Sequence, residues 1–88
     1  MILTKNTIIF LNKKVLYLIH LGNDILQSQS ITKNDYDLIQ NYLLKLSQAL
    51  TTLIELLETI NNKSIDEDEL DPLLDIIDRA EHRFLNIH

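Results

Sequence analysis

YDLIQNYLLKLSQALTTLIELLETI, residues 36–60, is the stretch that decides the fold. Within it Tyr36, Ile39, Leu43, Leu46, Leu50, Leu53, Leu57 and Ile60 recur at alternating spacings of three and four. Successive residues of an α-helix turn by about 100°, so this spacing keeps them all on one stripe, whereas a strand would scatter them over both faces. Tyr42, Ala49 and Leu56 flank the stripe on one side and Ile54 on the other. An apolar face of that width suits a helix with two or more neighbours, as in a bundle, better than a two-stranded coiled coil.

The ends of this helix are also written in the sequence. Thr32 is placed to accept the amide of Asp35 as an N-cap, with Ile31 and Tyr36 at the positions of a hydrophobic staple. Asn61 and Asn62 supply the stop, because Asn tolerates the left-handed conformation that commonly closes a helix. The expected span is 33–60.

Towards the N-terminus, Ile8, Leu11, Val15, Leu18, Gly22 and Ile25 repeat the three-four spacing and predict a helix over about 7–27. Gly22 stands in the seam, where it would admit another backbone closely or permit a kink. Thr4 with Thr7, and Leu3 with Ile8 as a staple, competes with Asn6 as the cap, so whether residues 1–6 join this helix is left open. Ile8–Leu11 and Val15–Ile19 could form a hairpin around Asn12, Lys13 and Lys14. That turn lacks the Asn-Gly or Asp-Gly signal, and neither run alternates polar with apolar.

Towards the C-terminus, Ser64 with Glu67 matches a capping box, but Pro72 inside a continuous helix would cost about 3 kcal/mol. The expectation is a short helical turn near 65–69 and a third helix over 72–86, with Asp71 as N-cap and Pro72 at its first position. Leu73, Ile77, Ala80, Phe84 and Ile87 form its seam. The connections at 27–30 and 61–64 are short enough to make sequential helices antiparallel neighbours. The expected fold is all-α: a small antiparallel bundle of three main helices in a single domain, 1–88.

Composition agrees. Leu and Ile supply 31 of 88 residues, while Gly and Pro occur once each, which suits long helices rather than turn-rich β structure. A core of this size leaves little stability to spare, so association would help it. Without cysteine there is neither a disulfide framework nor a thiolate metal site. The apolar region from Thr7 to Leu21 is interrupted by Asn12, Lys13 and Lys14 and falls short of the ~20 residues of a membrane span. The start has no basic segment ahead of an apolar run and no small-residue cleavage site, so no signal peptide is expected and the location is read as cytoplasmic.

The net charge of −5 argues against generic binding of nucleic acid, which depends on Lys and Arg at phosphates. The charge is uneven. Asp66, Glu67, Asp68, Glu69, Asp71, Asp75 and Asp78 hold seven of the 13 carboxylates, while residues 1–23 hold none and carry Lys5, Lys13 and Lys14.

Four patterns could carry chemistry. The acids Glu67, Glu69 and Asp71 superficially match an EF-hand loop, but Pro72 stands where the turn Gly should be and no Glu fills the final position. Carboxylates favouring the positive end of a helix and keeping the surface soluble account for the same run. Asp75, Asp78 and His82 share a face of the third helix at metal-ligand spacing, yet pairing of Asp75 with Arg79 and Asp78 with His82 explains them equally. His20 lies on a polar stripe with no partner fixed by the sequence. Finally, Arg83-Phe-Leu-Asn-Ile-His88 resembles the R-x4-6-H motif of HEPN-type ribonucleases, small helical bundles in which two such motifs often meet across a dimer. The resemblance implies a cation holding phosphate and an imidazole transferring protons. Phe84 departs from the polar residue that often follows the motif Arg.

The adopted reading is a non-enzymatic protein–protein interaction or assembly module without cofactor or metal, self-associating as a homodimer through helices 1 and 2. Another protein is the other partner class, and neither nucleic acid nor a membrane span is expected. Ile9, Phe10, Leu16 and Leu21 on the first helix and Leu38 and Leu44 on the second fall outside the intramolecular seams and are the expected contacts. The alternatives are an acidic inhibitor presenting the Asp66–Asp78 surface to a basic partner, and a ribonuclease using Arg83 and His88.

Overall fold

The computed structural model describes residues 2–28 and 30–87. The chain is an all-α bundle of three helices: α1 (Lys5–Leu26), α2 (Lys33–Thr59) and α3 (Asp71–Asn86), the last preceded by a 3-10 turn at Glu67–Leu70. Its extents of 47 × 17 × 16 Å make it a rod whose long axis is set by the 27 residues of α2. The wide apolar face of α2 lies against both other helices, and the hairpin of α1 with α2 is the most extensively packed pair.

α1 starts two residues before the expected position. Thr4 is the cap, accepting the amide of Thr7 at 3.3 Å, and the competing cap Asn6 lies inside the helix. The staple partners Leu3 and Ile8 are both in the core, so helix geometry and burial specify the same start. The lead is not frayed: Leu3 N–H donates to the Ile65 carbonyl at 2.7 Å, and Ile2 pairs with Asp66 as an antiparallel bridge. α1 runs unbroken through Asn12, Lys13 and Lys14, which replaces the hairpin alternative. It is also unbroken at Gly22. A Cβ there would stand 2.7 Å from Leu43 Cδ2 and 3.1 Å from Phe84 Cε2, so side chains of α2 and α3 fill the space that a second backbone could have used.

At α2 the Thr32 cap forms as expected, with Asp35 N–H donating at 3.2 Å. Its end differs. Among the described residues no non-Gly residue has positive φ, so Asn61 and Asn62 do not close the helix in the left-handed region. Instead the amides of Asn62 and Lys63 both donate to the Thr59 carbonyl, tightening the last turn in right-handed geometry.

The third element also corrects an expectation. Asp66, not Ser64, caps the 3-10 turn, accepting the amide of Asp68 at 3.0 Å. The turn spans Glu67–Leu70 rather than 65–69 and continues directly into α3. Asp71 is therefore already helical, and the residue before it, Leu70, has helical φ and ψ and no side-chain cap bond. Pro72 sits in the first turn, where its missing N–H leaves no helical bond unmade.

The core follows from these seams: Ile8, Leu11, Val15, Leu18 and Ile25 of α1, Ile39, Leu46, Ala49 and Leu53 of α2, and Leu73, Ile77, Ala80 and Phe84 of α3. Leu3, Ile65 and Leu70 cap one end. Tyr42 meets Phe84 edge to face, with centroids 6.2 Å apart.

Candidate interaction surface

The expected contact residues fall into separate places. Phe10 is 65% exposed, on the flank of α1 beside α3, where Tyr17 follows it two turns later. Leu21, on that same flank, is half-buried against the core. Ile9 and Leu16 lie on the other flank, beside α2 and away from α3. Leu38 is half-buried, and Leu44 stands exposed on the outer side of α2 with no apolar neighbour on its own stripe. The six residues therefore do not form one patch.

Two apolar surfaces result. The first is a groove of about 350 Å3 between the start of α1 and the 3-10 turn, lined by Phe10, Leu11, Leu70 and Leu74 and rimmed by Glu67, Asp68 and Asp71. Further along, the same flank carries Tyr17 on α1 and Leu85 on α3, both exposed. An ion pair spans it, Lys14 Nζ to Glu81 at 3.3 Å, with both side chains about one-third exposed.

The second surface is the side of the α1–α2 hairpin that α3 leaves uncovered. One residue beyond the core stripe of α1 runs a second stripe at the same three-four spacing: Ile9, Asn12, Leu16, Ile19, Asn23 and Leu26. Beside it on α2 run Tyr36, Gln40, Leu43, Ser47, Leu50, Ile54 and Leu57. Leu16 and Ile54 are nearly half exposed, while Ile19, Leu26, Leu43, Leu50 and Leu57 form the half-buried valley between the helices. Between Ile9 and Leu26 and between Tyr36 and Leu57 neither stripe contains a charged residue, and Lys5 continues the α1 stripe at its start. Within the valley Asn12 Oδ1 is buried and has no hydrogen-bond partner among the described residues. Sequence reading took Ile9 and Leu16 from this surface but missed Asn12, Ile19, Leu26 and Ile54. The signal was the second stripe on α1, which can be read only once the first has been given to the core.

The acidic residues lie on the outside of the turn and of α3, with Asp66, Asp68, Glu69, Asp71, Asp75 and Asp78 exposed and Glu67 half-buried. Arg79 Nε donates to Asp75 at 3.1 Å, the expected intrahelical pair. His82 turns instead to Asn86, whose Nδ2 lies 3.2 Å from its Nε2 and donates to its carbonyl at 2.7 Å. Among the described residues no three His, Asp or Glu side chains converge. Arg83 is exposed on α3, and His88 lies outside the described residues. No described helix is long and apolar enough to cross a membrane. No protein family, curated protein or solved structure gives a significant match to this chain.

Proposed function

We propose that the chain is a non-enzymatic interaction module that works by self-association, forming a homodimer through α1 and α2 in a reducing compartment such as the cytoplasm. The observation that supports this reading is the half-apolar side of the α1–α2 hairpin, uncharged along its middle, which no other part of the described chain covers. Apolar surface left in water is unfavourable by about 25 cal/mol per Å2, and a second copy is the partner always available to a folded chain. Sedimentation equilibrium at about 10 μM, tenfold above a ~1 μM dissociation constant, should report twice the 10.3 kDa chain mass. A monodisperse monomer at about 100 μM overturns the reading.

A second reading is favoured by the groove at Phe10 and Leu74, where carboxylates of Glu67, Asp68 and Asp71 rim an apolar floor. That chemistry suits a basic, partly apolar peptide, and the chain would then act as an acidic regulator of a basic protein. Binding of that kind weakens steeply between low and physiological salt. Dimerisation through a face uncharged along its middle does so much less.

A further inference from the structure

We propose that the groove at the start of α1 and α3 is a docking site for a basic amphipathic helix of another protein. That helix lays its apolar side on Phe10 and Leu74 and its cations against the carboxylates of the 3-10 turn and α3. The assignment rests on the reading of the groove as a site for a basic peptide, and fixes the peptide's form and orientation.

Two stripes facing each other build the groove. Thr7, Phe10, Lys14, Tyr17 and Leu21 recur at three-four spacing along the α3 side of α1, and Asp71, Leu74, Asp78, Glu81 and Leu85 do so along the α1 side of α3. The Lys14–Glu81 pair joins the stripes and bounds the groove at one end, and the 3-10 turn bounds it at the other. Between these bounds Phe10 is 65% and Leu74 37% exposed, above the buried floor of Leu11 and Leu70. A volume of about 350 Å3 is at the low end of the roughly 300–1,000 Å3 of small-ligand pockets, room for one or two bulky side chains rather than a whole helix. A partner helix therefore rests on the rim and drops an apolar anchor between Phe10 and Leu74.

The charges decide what that helix carries. Glu67, Asp68 and Asp71 rim the groove, Asp78 follows Asp71 two turns later on the same stripe, and among the described residues no cation pairs with any of the four. Lys14 is held by Glu81 and Arg79 by Asp75, while Lys5, Lys13 and Lys63 do not line the groove. Lys13 stands on the outer side of α1, a turn beyond Phe10, so the carboxylates run along the α3 edge and the α1 edge is neutral or cationic. Complementarity turns the partner's cations towards α3 and its uncharged side towards α1. A second copy of this chain, at net charge −5, brings the wrong sign, as does nucleic acid. Spacing selects the helix. Asp71 and Asp78 stand about 10.5 Å apart along α3 at ~1.5 Å per residue, with Leu74 between them on the stripe. A helix laid alongside repeats one side at that interval, cation, apolar residue and cation over two turns. An extended chain repeats one side every ~6.6 Å and falls out of step.

The test uses the full chain and two synthetic peptides, with fluorescence anisotropy for binding and circular dichroism for helicity. The first is a fluorescein-labelled peptide of Lys, Leu and Ala, about 14 residues or roughly 21 Å of helix, whose leucines share one face. The second has the same composition permuted so that no face is apolar. The first should bind with a micromolar dissociation constant at low salt and gain helix on binding, and the second should bind about tenfold more weakly. Phe10→Ala, at an exposed position, should weaken the first peptide about tenfold. Asp71→Asn with Asp78→Asn should do the same and flatten the salt dependence. Glu55→Gln with Glu58→Gln removes the same charge from exposed positions of α2 and should change binding by less than about twofold. Equal binding of the two peptides, both weakened by Phe10→Ala, overturns the helix and leaves the basic-peptide reading standing. Equal weakening by the α2 and α3 charge removals, or indifference to Phe10→Ala, overturns the groove as the site. Binding of neither peptide at about 1 mM overturns both this and the reading beneath it.

Discussion

The two sides of the α1–α2 hairpin carry similar numbers of aliphatic residues but do different things with them. On the side that α3 covers, Leu46, Leu53, Ile77 and Phe84 are sealed from water, and Phe84 closes over Gly22 while meeting the edge of Tyr42. On the other side, Leu16 and Ile54 stand nearly half exposed and Asn12 keeps a buried oxygen unpaired. The difference comes from number: among the described residues one further helix, α3, follows the hairpin, and one helix can seal only one of the two valleys that the hairpin offers. Burial on one side holds the fold together, and the other side stays open to water.

The comparison can be broken first at its covered side. Phe84→Ala should cost about 3–5 kcal/mol and Leu46→Ala about 2–5 kcal/mol in urea denaturation, the range for emptying a sealed core site. A loss below about 0.5 kcal/mol at both would mean that α3 is not docked where it stands.

Gly22→Val probes the same contact from the opposite direction. Its added carbons meet Leu43 and the Phe84 ring, and overpacking should cost about 1–3 kcal/mol; an unchanged denaturation midpoint would show slack between α1 and α3. Thr32→Ala, at the start of α2, should cost about 1 kcal/mol by removing the bond from the Asp35 amide.

The smallest effects are expected on the open side and the outer surface. Leu16→Glu should change the stability of the isolated chain, measured well below the dimer dissociation constant, by no more than about 0.5 kcal/mol. A cost matching Leu46→Ala would place Leu16 in the core and erase the distinction between the sides. Asp75→Asn, which removes an exposed ion pair, should cost less than about 0.5 kcal/mol, and double-mutant analysis with Arg79→Gln would detect a larger coupling.

The helices were legible because a three-four spacing has only one regular backbone that satisfies it, and Ile39, Leu46, Leu53, Ile77 and Phe84 all lie where that spacing puts the core. The grouping of surface residues was not. Ile9 and Phe10 are neighbours in sequence, yet the ~100° turn between them puts them on opposite flanks of α1, and α3 docks beside only one of those flanks. The spacing within a helix carries no information about which side that is. Asp71 failed as a cap for a related reason. The 3-10 turn before it already supplies the first helical carbonyls, so α3 has no non-helical residue at its start to act as one. The bond from Leu3 to Ile65 escaped notice, although Leu3 was legible as a staple partner of Ile8, because a contact between two extended segments has no period to betray it.

That contact has a bearing on the order in which the molecule comes together. The bond from the Leu3 amide to the Ile65 carbonyl closes a loop of roughly sixty residues, which costs several times RT in chain entropy, whereas the α1–α2 hairpin closes over only a few. The hairpin can zip first, and the latch between the chain's start and the approach to α3 fastens once both are in place. Opening should run in reverse. In hydrogen exchange the Leu3 amide should exchange together with the α3 amides near Ile77 and Ala80, at a free energy below that of the α1–α2 centre, so that one backbone proton reports the undocking of a whole helix.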